Sequence, residues 1–297
     1  MPWTVVGKSV MGTGHERRSQ PCQDAWAWKE INGDHLCVAV ADGAGSAAHS
    51  DIGARTAVAT AVERVAQAVA EKLESLDADS ELEGWRSPLT NVAKDVKKEL
   101  DLTALQKEVA VRELACTLLL MLWTPSGIVA LQVGDGAIVG RDPSGKMVAL
   151  TQPEQGEYAN QTVFIVEDKA AEQAQFMCWP FAIADCQNAS ESTKNSPQAN
   201  LSHIALFSDG LQRLALELPI GKPFTPFFDP LFSFLDQVRN SLPDAADPKA
   251  IFDDAGKTLD SFLRSPRVTA RTDDDLTLVL ITSTQNISAP EKSKEGS

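Results

Sequence analysis

The sequence predicts an α+β fold, with sheets stacked on each other and helices on the outside. Two observations predict it. Strands and helices come in blocks along the chain rather than in strict β-α-β alternation. The apolar, β-rich runs are short and bounded by turn residues, while the helical patterns are long and amphipathic.

Taken in order, residues 2–10 and 25–31 read as short strands, and HLCVAVADG (35–43) as a strand running into an Asp-Gly turn. Residues 51–76 follow as a long helix. Ala57, Ala61, Val65, Ala68, Val69 and Leu73 recur at helical spacing, with Glu63, Arg64, Glu71 and Lys72 on the other face. Residues 77–86 read as an acidic loop, and 88–112 as a second helix with Pro88 near its start. Strands 115–123 and 127–136 are joined by Thr-Pro-Ser-Gly. With 137–142 and 146–151 they read as an antiparallel meander. Residues 161–168 and 176–185 are expected to be strands, and the Asn-, Ser- and Gln-rich stretch 187–200 a flexible loop. HIALFSDGL (203–211) is another strand entering Asp-Gly, 222–242 and 248–264 are helices, and 276–282 is the last strand. The polar tail 286–297 is expected to be disordered. No repeat or linker interrupts the chain, so residues 1–285 are expected to form a single domain.

Composition narrows the function. The 297 residues are 43% hydrophobic and 23% charged, enough for a sizeable core. With 27 Lys and Arg against 41 Asp and Glu, the net charge of −14 argues against nucleic acid as the main partner. The five cysteines are widely spaced with no CxxC pair, which suits a reducing compartment. The N-terminus lacks an apolar signal region, and the longest apolar run, Leu118 to Trp123, is too short to span a bilayer. A cytoplasmic protein without membrane partners is therefore expected.

Three apolar strands end in Asp-Gly: VAVADG with Asp42, LQVGDG with Asp135 and ALFSDG with Asp209. Asp273 to Asp275 precede the last strand, and Asp24 follows the polar RRSQPCQ. A single Asp-Gly at a strand end is ordinarily just a turn. Several such aspartates gathered at one edge of a stacked core would repel each other, and a hard divalent cation resolves that conflict. Other chemistries find less support. Ser46 and Ser208 have no evident His/Asp partners for a serine hydrolase. GTGHE (12–16) is too short for a phosphate loop. Phe227, Leu231 and Phe234 recur at helical spacing and fit core packing better than a ligand groove.

These motifs, in this order, resemble the metal-dependent serine/threonine protein phosphatases of the PPM (type 2C) family, in a divergent bacterial-type branch. The likeness rests on PCQDA (21–25), VAVADGAGS (38–46), ACTLLLML (115–122), VGDGAIVGRD (133–142), LFSDGL (206–211) and DDDLTLVLI (273–281). It implies a four-layer α/β/β/α sandwich of two antiparallel sheets, flanked by helical hairpins at 51–112 and 222–264. It also implies hydrolysis of phosphoserine and phosphothreonine in proteins, through a water activated by a binuclear Mn²⁺ or Mg²⁺ centre, with a possible third ion. Carried over, Asp42 bridges the ions and Gly43 offers its carbonyl. Asp209 and Asp274 complete the pair of sites, Asp273 and Asp275 being the one-residue alternatives. Asp24 orients metal-bound water, and Asp135 is the candidate ligand for the third ion. Segment 152–200 falls where the family carries its variable flap. The implied partners are a phosphoprotein substrate and an opposing serine/threonine kinase.

The departures are specific. Ser19 stands where many members place a phosphate-binding arginine, leaving Arg18, with Arg17 as its alternative, for that contact. Gln23 replaces a common glutamate, and Ala44 replaces the histidine that some relatives use as general acid. His15 and His49 are nearby and are read as surface residues, and Arg213 stands where some relatives have another acid. The rival readings are a pseudophosphatase acting as a binding module and a phosphatase for a small phosphorylated metabolite.

Overall fold

The computed structural model describes residues 3–74, 82–151, 162–181 and 201–283. The chain begins β1 (Trp3–Val10), α1 (Thr13–Arg18), β2 (Ala25–Ile31), β3 (His35–Ala41), α2 (Ser50–Glu74) and α3 (Arg86–Lys107). There follow β4 (Leu118–Thr124), β5 (Gly127–Val133), β6 (Ala137–Arg141), β7 (Met147–Ala149), α4 (Ala170–Gln173) and β8 (Gln175–Pro180). The last part holds β9 (His203–Phe207), α5 (Gln212–Ala215), β10 (Leu216–Glu217), β11 (Lys222–Pro223), α6 (Thr225–Ser241), α7 (Pro248–Leu263), α8 (Pro266–Thr269) and β12 (Leu276–Ser283).

Two five-stranded antiparallel sheets form the centre, in the orders β1-β12-β9-β6-β7 and β2-β3-β4-β5-β8. Strand pleating explains why the inner strands β3, β4, β5, β9 and β12 are buried at every position: each has two faces to bury. On β3, Leu36, Val38 and Val40 enter the core between the sheets with Leu119, Met121 and Trp123 of β4 and Val279 and Ile281 of β12. The alternate residues Cys37, Ala39 and Ala41 pack beneath α2 and α3, and Leu278 and Leu280 pack beneath α6 and α7. The expected four layers are therefore present, α2 and α3 on one sheet and α6 and α7 on the other.

Side-chain size sets the outer spacing. Ala54, Ala57 and Ala61 of α2 are fully buried and let the helix lie close to the small side chains of β3. Phe228, Phe232 and Leu235 of α6 are fully buried, so the Phe-rich stretch is core, as its spacing suggested, although Phe234 itself is only partly buried. Asp247 caps α7 by accepting hydrogen bonds from the Lys249 and Ala250 amides, with Pro248 at the first helical position.

Three expectations need correction. The meander breaks after β5: β5 pairs with β4 and β8, whereas β6 pairs with β9 and β7 in the other sheet. The crossover falls at Gly134, whose φ of +101° and near-contact with Thr117 suit a residue without Cβ. Residues 162–168 form no strand. One amide, from Ile165, bonds the Cys116 carbonyl, and the chain then turns through Lys169 at φ +68° into α4. The second helix starts earlier and stops at Lys107, where Glu108 adopts φ +57° and turns the chain. Residues 182–185, 187–200 and 286–297, expected as strand, loop and tail, lie outside the described residues. No helix among the described residues is long and apolar enough to cross a membrane.

Candidate metal centre

Antiparallel register explains why the aspartates meet. The end of β3 lies beside the start of β2, with Ala41 opposite Ala25, so Asp42 and Asp24 emerge together. The end of β9 lies beside the start of both β6 and β12: Phe207 pairs with Ala137 and with Leu278. Asp209, Asp135 and Asp274 therefore leave the other sheet at the same edge. Carboxylate oxygens of Asp42, Asp135 and Asp209 come within 4.8 Å of one another, all three side chains partly buried.

Burial and mutual repulsion both work against ionisation here. Asp42 is pushed well above the ordinary carboxylate range by burial first, then by the charges of Asp24, Asp209 and Asp274. Burial raises Asp209 to about 6, with repulsion from Asp135 and Asp274 adding to it and a hydrogen bond with Asp42 opposing it. Asp24 reaches about 7, again mainly through burial, with the Ser208 hydrogen bond opposing the shift.

Hydrogen bonds from neighbouring elements hold the Asp24 and Asp135 carboxylates and the backbone at Asp42 and Asp135. Ser208 donates to Asp24 Oδ2 at 2.6 Å, and the Thr277 amide donates to Ser208 Oγ at 3.0 Å. This joins Asp24 to the ends of β9 and β12. The Asp42 amide donates to Thr117 Oγ1, Thr162 donates to Asp135 Oδ2, and Gln212 donates to the Asp135 carbonyl. Gly43 is buried, and its amide donates to the Gln23 carbonyl at 3.1 Å. Among the described hydrogen bonds none ends on the Gly43 carbonyl.

The acidic triplet divides its labour. Asp275 is 2% exposed, and it accepts from the Gly12 amide at 2.7 Å and the Gln23 amide at 2.6 Å. His15 Nδ1 lies 2.8 Å from the same carboxylate. Close backbone approach completes this junction: a Cβ on Gly12 would fall 2.2 Å from the Asp274 carbonyl, and one on Gly210 2.1 Å from that of Asp275. Asp273 is exposed and pairs with Arg17 at 3.2 Å. Asp274 is exposed, accepts from the Asp275 amide and lines the cleft together with Asp209.

The tightest trio joins Asp42 and Asp209 to Asp135, the residue the resemblance assigned to a third ion, rather than to Asp274. Arg18 is exposed, and its Nε donates to Gln20. His15 is 3% exposed, beside Asp275, and not on the surface as expected; His49 is half-exposed beside Glu113. Ser208 has an aspartate partner that its sequence context did not reveal, since Asp24 lies 184 positions away. Asp209 and Asp274 line a cleft of about 560 Å³, together with Arg213, Leu218, Thr269 and Arg271.

The donors fit a hard divalent cation. Carboxylates and a main-chain carbonyl form an all-oxygen set. The oxygens Asp24 Oδ1 and Asp209 Oδ1 are buried without a hydrogen-bond partner among the described residues.

A stacked-sheet sandwich with an acidic edge defines the class, and sequence comparison agrees. A profile of the family "Protein phosphatase 2C" matches residues 11–247, and the chain belongs to that family. It is 36% identical over 285 residues to "Serine/threonine-protein phosphatase 3" of Escherichia coli (strain K12), covering 94% of this chain and 98% of that protein. The fold is shared with the serine/threonine phosphatase of S. agalactiae at TM-score 0.56 and 14% identity, covering 95% of this chain and 99% of that one. It is also shared with the serine/threonine phosphatase of Staphylococcus aureus at TM-score 0.54 and 13% identity, covering 95% of each.

Proposed function

We propose that this protein hydrolyses phosphoserine and phosphothreonine in proteins, at a centre for two Mn²⁺ or Mg²⁺ ions with room for a third. The observation that carries the reading is the convergence of Asp42, Asp135 and Asp209 within 4.8 Å at the end of a sandwich of this family. Asp42, Gly43, Asp209 and Asp274 would hold the pair of ions, with Asp24 beside them and Asp135 toward the third. Bound divalent ions supply a water acidic enough to be a nucleophile at neutral pH and neutralise charge on the phosphoryl oxygens.

The chain's own residues prepare that chemistry. Asp42, raised well above its usual range, would have to lose its proton to hold a cation, so occupancy would compete with protonation. Ser208 fixes the orientation of Asp24 and leaves Oδ1 free as an acceptor. Asp275 holds the amides of Gly12 and Gln23, which sets the loop carrying Asp24. The retained carboxylates favour catalysis over a binding-module role, since burying them together without a counter-charge is costly. Residues 1–285 are read as one catalytic domain, with 152–200 as the segment shaping substrate choice, in a cytoplasmic enzyme opposing a serine/threonine kinase.

Hydrolysis of p-nitrophenyl phosphate with Mn²⁺, with Mg²⁺ and with EDTA tests the reading. Turnover that requires metal and stops in EDTA is expected. Folded protein inactive with every metal would remove it.

A further inference from the structure

We infer that Arg213 and Arg271 form a subsite for a second anionic group of the substrate peptide, beside the phosphoserine. This deepens the phosphatase reading and rests on it. Both arginines are exposed and line the cleft that Asp209 and Asp274 also line. They come from separate elements. Arg213 lies on α5, four residues after Asp209, and Arg271 lies just after α8, three residues before Asp274. Tertiary structure thus brings both cations into one cleft with two members of the acidic edge.

Among the described residues neither arginine has a carboxylate within ion-pair distance, although Arg17 pairs with Asp273 and Arg264 pairs with both Glu16 and Asp260. Arg18, Arg112, Arg141 and Arg267 are likewise without an ion pair among the described residues; what sets Arg213 and Arg271 apart is that both line one cleft with Asp209 and Asp274, in a chain of net charge −14. A guanidinium presents a planar fork of donors matched to carboxylate or phosphate. The cleft volume of about 560 Å³ is in the range of sites for groups larger than one phosphoryl. Leu218 and Thr269 in its wall suit a peptide segment. The anion can be a Glu or Asp side chain near the phosphoserine or a second phosphoserine, since both offer the same oxygens.

The test compares kcat/KM for three phosphopeptides that differ only near the phosphoserine: one with flanking Glu, one with a second phosphoserine and one with Ala. Wild-type enzyme is first shown to hydrolyse p-nitrophenyl phosphate, so failure of the phosphatase reading shows itself separately and takes this inference with it. The acidic peptides are expected to exceed the Ala peptide about 3- to 10-fold at low salt, less at high salt, as for partly exposed ion pairs. The Arg213→Gln/Arg271→Gln variant should bring the ratio to near 1, and Arg→Lys at both sites should restore part of it. Preference for the Glu peptide alone assigns the subsite to carboxylates, and preference for the doubly phosphorylated peptide alone assigns it to phosphate. A wild-type ratio near 1 overturns the inference. So does a ratio retained by the double variant, or an equal loss on all three peptides, which would place the arginines at the scissile phosphate.

Discussion

Asp24 is 6% exposed, with one oxygen taken by Ser208 and the other unpartnered among the described residues. Ser208→Ala removes the hydroxyl and leaves the Thr277 amide without its acceptor. A loss of about 1–3 kcal/mol is expected in urea unfolding, the usual cost of orphaned buried polar groups, together with weaker Mn²⁺ binding by calorimetry. Asp42→Asn acts differently. It deletes a charge that repels Asp24 and Asp209 and is itself disfavoured by burial. Turnover of p-nitrophenyl phosphate should fall by more than the roughly 10- to 100-fold that loss of a group merely orienting a ligand costs. The melting temperature in EDTA should stay level or rise. A variant with near-normal turnover would remove Asp42 from the centre.

At the scale of elements, the site is a product of strand ends meeting. Asp275, at the mouth of β12, binds the amides that follow β1 and precede β2, so three strands from both sheets share one carboxylate. Asp275→Ala should cost about 2–4 kcal/mol, because it leaves the buried amides of Gly12 and Gln23 without an acceptor, and should also weaken metal binding without altering any ligand. Equal Mn²⁺ affinity in this variant and wild type would show that the loop is held by other contacts. On the outer side, Ala57 of α2 is fully buried within the alanine-rich face packed on β3. Ala57→Leu should overpack that layer and lower stability by about 1–3 kcal/mol in urea.

For the whole molecule, the raised carboxylates set a pH dependence. Asp24 and Asp209 move from 3.8 to about 7 and about 6 on folding, so between pH 4 and 7 the folded protein binds more protons than the unfolded chain. Stability in EDTA is therefore greatest below that window and falls as pH rises through it. A cation takes the place of those protons, so its stabilisation grows with pH. Thermal unfolding at pH 5 and pH 8, with Mn²⁺ and with EDTA, should show the larger metal-induced rise at pH 8. An equal rise at both would detach the carboxylates from metal binding.

How much of this was legible varies residue by residue. Strands such as 35–41 and 118–124 were readable because apolar, β-rich runs end at turn residues, and Asp42, Asp135 and Asp209 because each stands at such an end. The sheet switch after β5 was not readable: a hairpin and a crossover both use short glycine-rich turns, and which pairing wins depends on β9, some 70 residues away in sequence. Residues 162–168 carry a strand-like composition, yet the edge beside β5 goes to β8. His15 and Ser208 were missed because their partners lie 260 and 184 positions away, and local sequence carries no trace of such pairing.

The sequence by itself determined most of the elements and the family resemblance, since periodicity, turn chemistry and ordered motifs are local properties of the chain. It also determined that acidic groups would gather, through their placement at strand ends. Only the tertiary structure decided what each member does. Asp273 pairs outward with Arg17, Asp275 is consumed by two amides beside His15, and Asp274 lines the cleft together with Asp209. It also left Arg18 with Gln20 and placed Arg213 and Arg271 in the cleft. The reason is physical: a carboxylate's role follows from the donors and charges around it, and folding brings those from distant parts of the chain.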